Sequence, residues 1–270
     1  MTASSTMVIV LAGAAIAAVA AVRSTWSPCG LSMLSTLTPH GERSRGHSYR
    51  DTAGWFVAGA TVGGACLGGL MAAGAALVRA SGLSGDSRLW AAGAAALVAA
   101  LSDAGLVGWQ LPVHHRQVNE RWLDEFRPWV YGAGFGWQIG AGLVTYVTSA
   151  AVYLLVVLGV LCGSPVAALA LGVAFGLLRG LAVLLTARVS STDALLAFHR
   201  RFEAARPLAE RAVRVAELGV VVAAAAVLAN VASVAVLGVG ALAVAAGSVR
   251  ASRKARVEAR PASDPVAAVG

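Results

Sequence analysis

The stretch Trp26-Ser27-Pro28-Cys29-Gly30-Leu31-Ser32-Met33-Leu34-Ser35-Thr36-Leu37-Thr38 sets a proline beside a cysteine inside a long apolar run. A proline within a helix removes a backbone donor and collides with the carbonyl one turn earlier, so the chain is expected to kink or break at Ser27-Pro28. Cys29 follows the break directly. In a bilayer, backbone groups released at a break are tolerated only where they face protein or a water-filled cavity, because lipid offers no hydrogen bonds. A broken membrane helix is for that reason a candidate site.

Composition points to a bilayer as the solvent. Of 270 residues, 58% are hydrophobic and 13% charged, with a mean hydropathy of +0.74, whereas soluble domains carry about 25% charged residues. A multi-pass protein of the cytoplasmic (inner) membrane, with the lipid bilayer as its first partner, is expected. The net charge is +8; the basic residues are arginines except for Lys254, and nearly all fall between or beyond apolar runs. That pattern fits anchoring against anionic lipid. No nucleic-acid-reading motif accompanies it, so no nucleic-acid partner is expected. Cys29, Cys66 and Cys162 all lie in or beside apolar runs, unlike the cysteines of a secreted disulfide framework. The first apolar run has no basic residue ahead of it and continues past Cys29, unlike a signal peptide.

Runs of about 20 apolar residues, the length a helix needs to cross the hydrocarbon core, divide the chain into six spans. They cover 7 to about 37, 53–78, about 90–111, 130–161, 165 to about 187, and 218 to about 249. The first and fourth are too long for one straight crossing, so both are expected to be broken. The second is glycine-loaded, and its Gly64-x-x-x-Gly68 pattern predicts a packing helix. Between the third and fourth spans, residues 112–129 carry Val118, Trp122, Leu123 and Phe126 at helical spacing, which predicts a cytoplasmic amphipathic helix lying on the membrane. Residues 188–217 read as a basic connection, and 250–270 as a basic, disordered tail.

Residues 1–111 and 130–249 repeat one rhythm: a long interrupted helix, a glycine-rich helix, then an alanine- and valine-rich helix. The expected fold is all-α, with six transmembrane helices in two three-helix inverted-repeat halves. Sliding one half along the other sets Cys29 opposite Thr148. The connections after the first, third and fifth spans hold twelve arginines, which the positive-inside rule assigns to the cytoplasm. The five basic residues of the tail weigh the other way.

With six spans in two halves and Ser27-Pro28-Cys29 in the first, the chain resembles the CcdA/DsbD-type transmembrane thiol-disulfide transporters of cytochrome c biogenesis. The small-residue second span and the tract Gly172-Val173-Ala174-Phe175-Gly176-Leu177-Leu178-Arg179-Gly180 are also similar to that family. The resemblance implies reducing equivalents carried across the membrane from a thioredoxin-like protein to an extracytoplasmic thiol protein, with Cys29 as a reactive thiol. In the family a second cysteine in the fourth span completes the pair. Here the matching stretch reads Thr145-Tyr146-Val147-Thr148-Ser149. Cys162 lies fourteen residues beyond Thr148, about 20 Å along a helix, whereas a disulfide needs α-carbons within about 7 Å. The second thiol is then Cys66 or one supplied by a partner.

Residue by residue, the candidates carry two readings. A helix starting at Pro28 directs its unpaired amides and positive dipole end toward nearby groups, the setting of reactive thiols; a buried cysteine is equally a small hydrophobe. Asp103 and Arg179 are charges inside spans and are expected to pair with each other or face water. Arg23 either lines the same cavity or snorkels to the surface. Gln138, Thr145, Thr148, Ser149 and Asn230 form a polar interior set, either interhelical hydrogen-bonding groups or, with Asp103 and Arg179, a substrate path. Adjacent His114 and His115 point about 100° apart on a helix and are poor joint ligands, so no metal is expected. No phosphate loop, zinc-protease or serine-triad signature is present, and no cofactor is implied. Three functions remain: thiol-disulfide exchange, in which the chain acts as an oxidoreductase; export of a small solute or ion on the same fold without redox chemistry; and a non-catalytic membrane subunit or scaffold.

Overall fold

The structure, a computed structural model, describes residues 2–106, 121–143 and 147–228, together with residues 238, 240 and 244. Every regular element among them is helical. Three helices, Ser4–Trp26, Tyr49–Ala80 and Pro165–Thr186, are long and apolar enough to cross a membrane, and Ala151–Leu161 is a shorter apolar helix.

The first long run breaks where its proline stands. Helix α1 (Thr2–Arg23) leads into a 3-10 turn at Ser24–Trp26, the chain extends at Ser27, and α2 (Pro28–Thr36) begins. Pro28 occupies the first helical position, where its missing N–H would have had no partner in any case. Ser27 caps the new helix by accepting a hydrogen bond from the Gly30 amide at 3.1 Å. The corner is tight: a Cβ at Gly30 would lie 2.9 Å from the Thr25 carbonyl carbon.

After the short α3 (Pro39–Ser44), α4 (Tyr49–Ala80) forms the centre of the packing. It lies against α7 (Pro128–Gly140) on one side and α9 (Pro165–Leu181) on the other, glycine to backbone. A Cβ at Gly64 would lie 2.7 Å from Gly176 Cα, and one at Gly136 would lie 2.8 Å from the Ala60 amide. Small residues let helix backbones approach where lipid supplies no hydrophobic drive to association.

Helix α5 (Gly85–Asp103) ends at Gly105, which takes a positive φ of 67°. Asp103 therefore stands in a last helical turn rather than in the middle of a span. Of the expected surface helix over 112–129, the described part is one turn, α6 (Trp122–Glu125). Trp122 stacks on Phe135 of α7 at 5.8 Å and Leu123 is buried, while Phe126 of the same face is exposed. His114 and His115 lie outside the described residues.

The fourth run is broken too. Helix α7 stops at Gly140, Gly142 takes φ of 71°, residues 147–149 are non-helical, and α8 spans Ala151–Leu161. A 3-10 turn, Ala182–Thr186, follows α9.

The basic connection expected over 188–217 is instead mostly helix. Helix α10 runs without interruption from Thr192 to Leu228, through Pro207. Phe202, Ala209, Val213, Val220 and Ala224 are buried along one face, and this helical period outweighs the arginines, which it turns outward. Arg200, Arg201, Arg206 and Arg211 are exposed. The first half of α10 docks on the α1–α2 break. Phe202 stacks on Trp26 at 4.1 Å, the Trp26 indole N–H donates to the Phe202 carbonyl at 3.1 Å, and Ser35 Oγ lies 3.1 Å from His199 Nε2.

Candidate functional site

Two cavities flank the 3-10 turn at Ser24–Trp26. The smaller, about 20 Å³, is lined by Ser24, Thr25, Gly30, Met33, Leu34, Phe56, Ile139, Arg179, Ala182 and Val183. The larger, about 290 Å³, is lined by Arg23, Ser102, Asp103, Thr148, Glu210, Val213 and Arg214.

Cys29, the second residue of α2, is 1% exposed and belongs to an apolar cluster with Met33, Leu37, Ala53, Phe56, Tyr131, Phe135, Ile139 and Val183. Arg179 of α9, 3% exposed, interacts electrostatically with it. The Arg179 guanidinium is anchored by donating from Nη1 to the Ile139 carbonyl at 2.6 Å. Ile139 is in the last turn of α7, where its carbonyl also accepts from the Gly142 amide at 3.2 Å and the negative end of the helix dipole favours a cation. Arg179 thus joins the cysteine at one break to the helix end at the other.

Asp103 does the complementary job. Its carboxylate accepts from Ser149 Oγ at 2.5 Å and from the Ala150 amide at 2.8 Å, at the start of α8. A carboxylate there meets the positive end of the dipole and the first unpaired amides. Asp103 and Arg179 make no ion pair with each other. Each caps a different side of the α7–α8 break, because helix ends offer each charge an opposite partial charge nearer than the other side chain.

The remaining candidates separate. Thr148 lines the larger cavity with its hydroxyl oxygen buried and without a partner among the described residues. Ser149 is buried on Asp103, and Gln138 is half-buried on α7. Thr145 and Asn230 lie outside the described residues. Cys66 is exposed on α4, ten residues beyond the Phe56 that packs with Cys29, a rise of about 15 Å. The structure does not bring Cys66 to Cys29. Cys162 is buried at the end of α8, where its carbonyl accepts from Arg88 Nη1 at 3.1 Å. None of the three cysteines is in a disulfide.

Three buried or half-buried acids, Glu210, Glu217 and Glu42, escape the sequence reading. Glu210 of α10 accepts from Arg23, which the sequence did single out, at 3.3 Å, and from Arg206 at 3.1 Å. Glu217 of α10 is wholly buried, with neither carboxylate oxygen hydrogen-bonded among the described residues. The signal was present as Arg206, Glu210 and Arg214 at four-residue spacing, the mark of a helix face. On the opposite side of α4, buried Glu42 accepts from Thr52 Oγ1 at 2.6 Å, Tyr131 Oη at 2.7 Å and Arg45 at 3.0 Å. Its bonds are satisfied, so it locks α3 to α4 and α7. Among the described residues no three His, Cys, Asp or Glu side chains converge as metal ligands.

These features define an all-helical protein with helices of membrane-spanning length and polar breaks in two of its apolar runs. The chain is similar to the methylamine utilization protein MauF of Paracoccus versutus, 30% identical over 166 residues that make up 59% of each chain. It is likewise similar to the methylamine utilization protein MauF of Paracoccus denitrificans, 30% identical over 184 residues, covering 66% of this chain and 64% of the relative. The chain spans about three fifths of the length of the curated relatives it matches. No family model matches it, and no solved structure does.

Proposed function

We propose that the chain is a divergent CcdA/DsbD-like protein of the cytoplasmic membrane, built as six helices in two inverted three-helix halves, which passes reducing equivalents across the bilayer by thiol-disulfide exchange. By the name of its relatives, the process it serves is methylamine utilization. Cys29 is the reactive thiol. It loses its proton and attacks one sulfur of the disulfide of the extracytoplasmic acceptor, whose other sulfur departs as a thiolate. One thiol of the thioredoxin-like donor then attacks Cys29 and releases the reduced acceptor, and the donor's second thiol closes the donor's disulfide and returns Cys29 as a thiol. The resolving thiols come from the donor, since none of the three cysteines of this chain is paired with another.

The observation that carries this reading is the setting of Cys29 in the first turn of a helix begun by Pro28, with the Arg179 guanidinium within electrostatic range. A positive dipole end and a nearby cation are groups that activate thiols. The test is to trap thiols in intact cells with a membrane-permeant alkylating probe, before and after an oxidant, in a Cys66→Ser/Cys162→Ser background. Cycling of Cys29 between blocked and reactive forms supports the reading; a thiol that stays in one state under both conditions refutes it.

A second reading has its own observation. The larger cavity is lined by charged groups and lies between the two breaks, as a path for a small solute would. On that reading export tolerates Cys29→Ser and is lost on changes at Thr148 or Asp103.

A further inference from the structure

The wall of the larger cavity holds charges of both signs with bonding capacity to spare. Arg23 is 8% exposed, yet its Nη1 is buried without a partner among the described residues. Arg214 bonds through its Nε to the Glu210 carbonyl, and its other nitrogens make no further hydrogen bond among the described residues. Thr148 adds a hydroxyl without a partner among the described residues. On the acidic side stand Asp103 and Glu210 on the wall itself, and the wholly buried Glu217, within electrostatic range of Asp103 and Arg214. Buried polar groups are costly unless bonded, so the Arg23 and Thr148 groups without partners among the described residues point to a missing occupant with acceptors, and the two carboxylates on the same wall favour one that also carries a donor.

Charge selects the class of occupant. Two arginines and two carboxylates on the wall sum to zero, so an anion alone meets Asp103 and Glu210, and a cation alone meets Arg23 and Arg214. Water fills such a space without matching its charge. The volume, about 290 Å³, has room for a molecule several times a water's share of about 30 Å³. Access is open on the α10 side, where the Glu210 side chain is 38% exposed.

We propose that this cavity binds a small zwitterion, its anionic end held by Arg23, Arg214 and Thr148 and its ammonium end by Asp103 and Glu210. The inference rests on the second reading, in which the cavity is a solute path, and is independent of the chemistry at Cys29.

The experiment is equilibrium binding of isotope-labelled glycine to the full chain in lipid nanodiscs, with acetate and methylammonium as competitors. Glycine binds saturably, and each single-sign ion competes about tenfold or more less well, the worth of one charge-assisted hydrogen bond. Glu210→Gln, which keeps the side chain's shape, weakens glycine binding by about the same factor, and so does Arg23→Gln. If acetate or methylammonium competes as well as glycine, or if Glu210→Gln binds as the parent does, the zwitterion assignment is overturned and the solute path survives. If none of the three probes binds, the cavity holds water only and both fall.

Discussion

Ser27 and Asp103 carry the breaks at the level of single residues. The Ser27 hydroxyl is the side-chain cap of α2, so Ser27→Ala is expected to cost about 1 kcal/mol, read as a lower midpoint in thermal unfolding of the purified protein. Asp103 makes two bonds at the start of α8, and Asp103→Ala is expected to cost about 2 kcal/mol or more in the same assay. An unchanged midpoint for Asp103→Ala would remove the capping role. The break at Pro28 was legible because proline acts on its own backbone, whatever surrounds it. The roles of Asp103 and Arg179 were not, since they depend on where α7 stops and α8 starts, and neither end carries a proline to announce it. The ion pair expected between them gave way to helix ends that the sequence does not mark.

Among elements, α4 was the plainest. Its glycines predicted a packing helix, and the close approach to α7 and α9 supplies the reason for them. Gly64 and Gly69 lie in the same helix but differ in surroundings: a Cβ at Gly64 meets α9 backbone, and one at Gly69 meets nothing within 4 Å. Gly64→Leu is expected to destabilise by about 3 kcal/mol or more through overpacking, whereas Gly69→Ala is expected to gain up to about 1 kcal/mol of helix propensity. Equal effects at the two positions would contradict the packing described. By contrast, α10 was only half visible. Its arginine-rich half read as a connection because composition was weighed there ahead of period, although Phe202, Ala209 and Val213 already marked one face.

For the whole molecule, the consequence is that α10 covers the α1–α2 break. Trp26, Ser35 and Arg23 each meet a residue of its first half, while Cys29, 1% exposed, packs with Phe56 of α4 and with Phe135 and Ile139 of α7. A partner reaches the thiol only if this packing opens, so Phe56→Ala, which removes part of it, is expected to speed alkylation of Cys29 severalfold in the purified protein. A rate equal to the parent's would mean that access runs by another route. The break, the packing helix and the membrane character were legible in the sequence because each rests on local chemistry. The large cavity was not, because its walls come from the ends of α1 and α5, the α7–α8 break and α10, segments that meet only in the folded chain.

The most direct test of the central claim is capture of a mixed disulfide on Cys29. Cells expressing the chain with Cys66→Ser and Cys162→Ser are quenched with acid, alkylated, and resolved by non-reducing then reducing electrophoresis. A reductant-sensitive adduct to a second protein, absent when Cys29→Ser is added, is the predicted result. Recovery of the chain solely as the alkylated thiol, with no adduct before or after oxidant, would contradict the account.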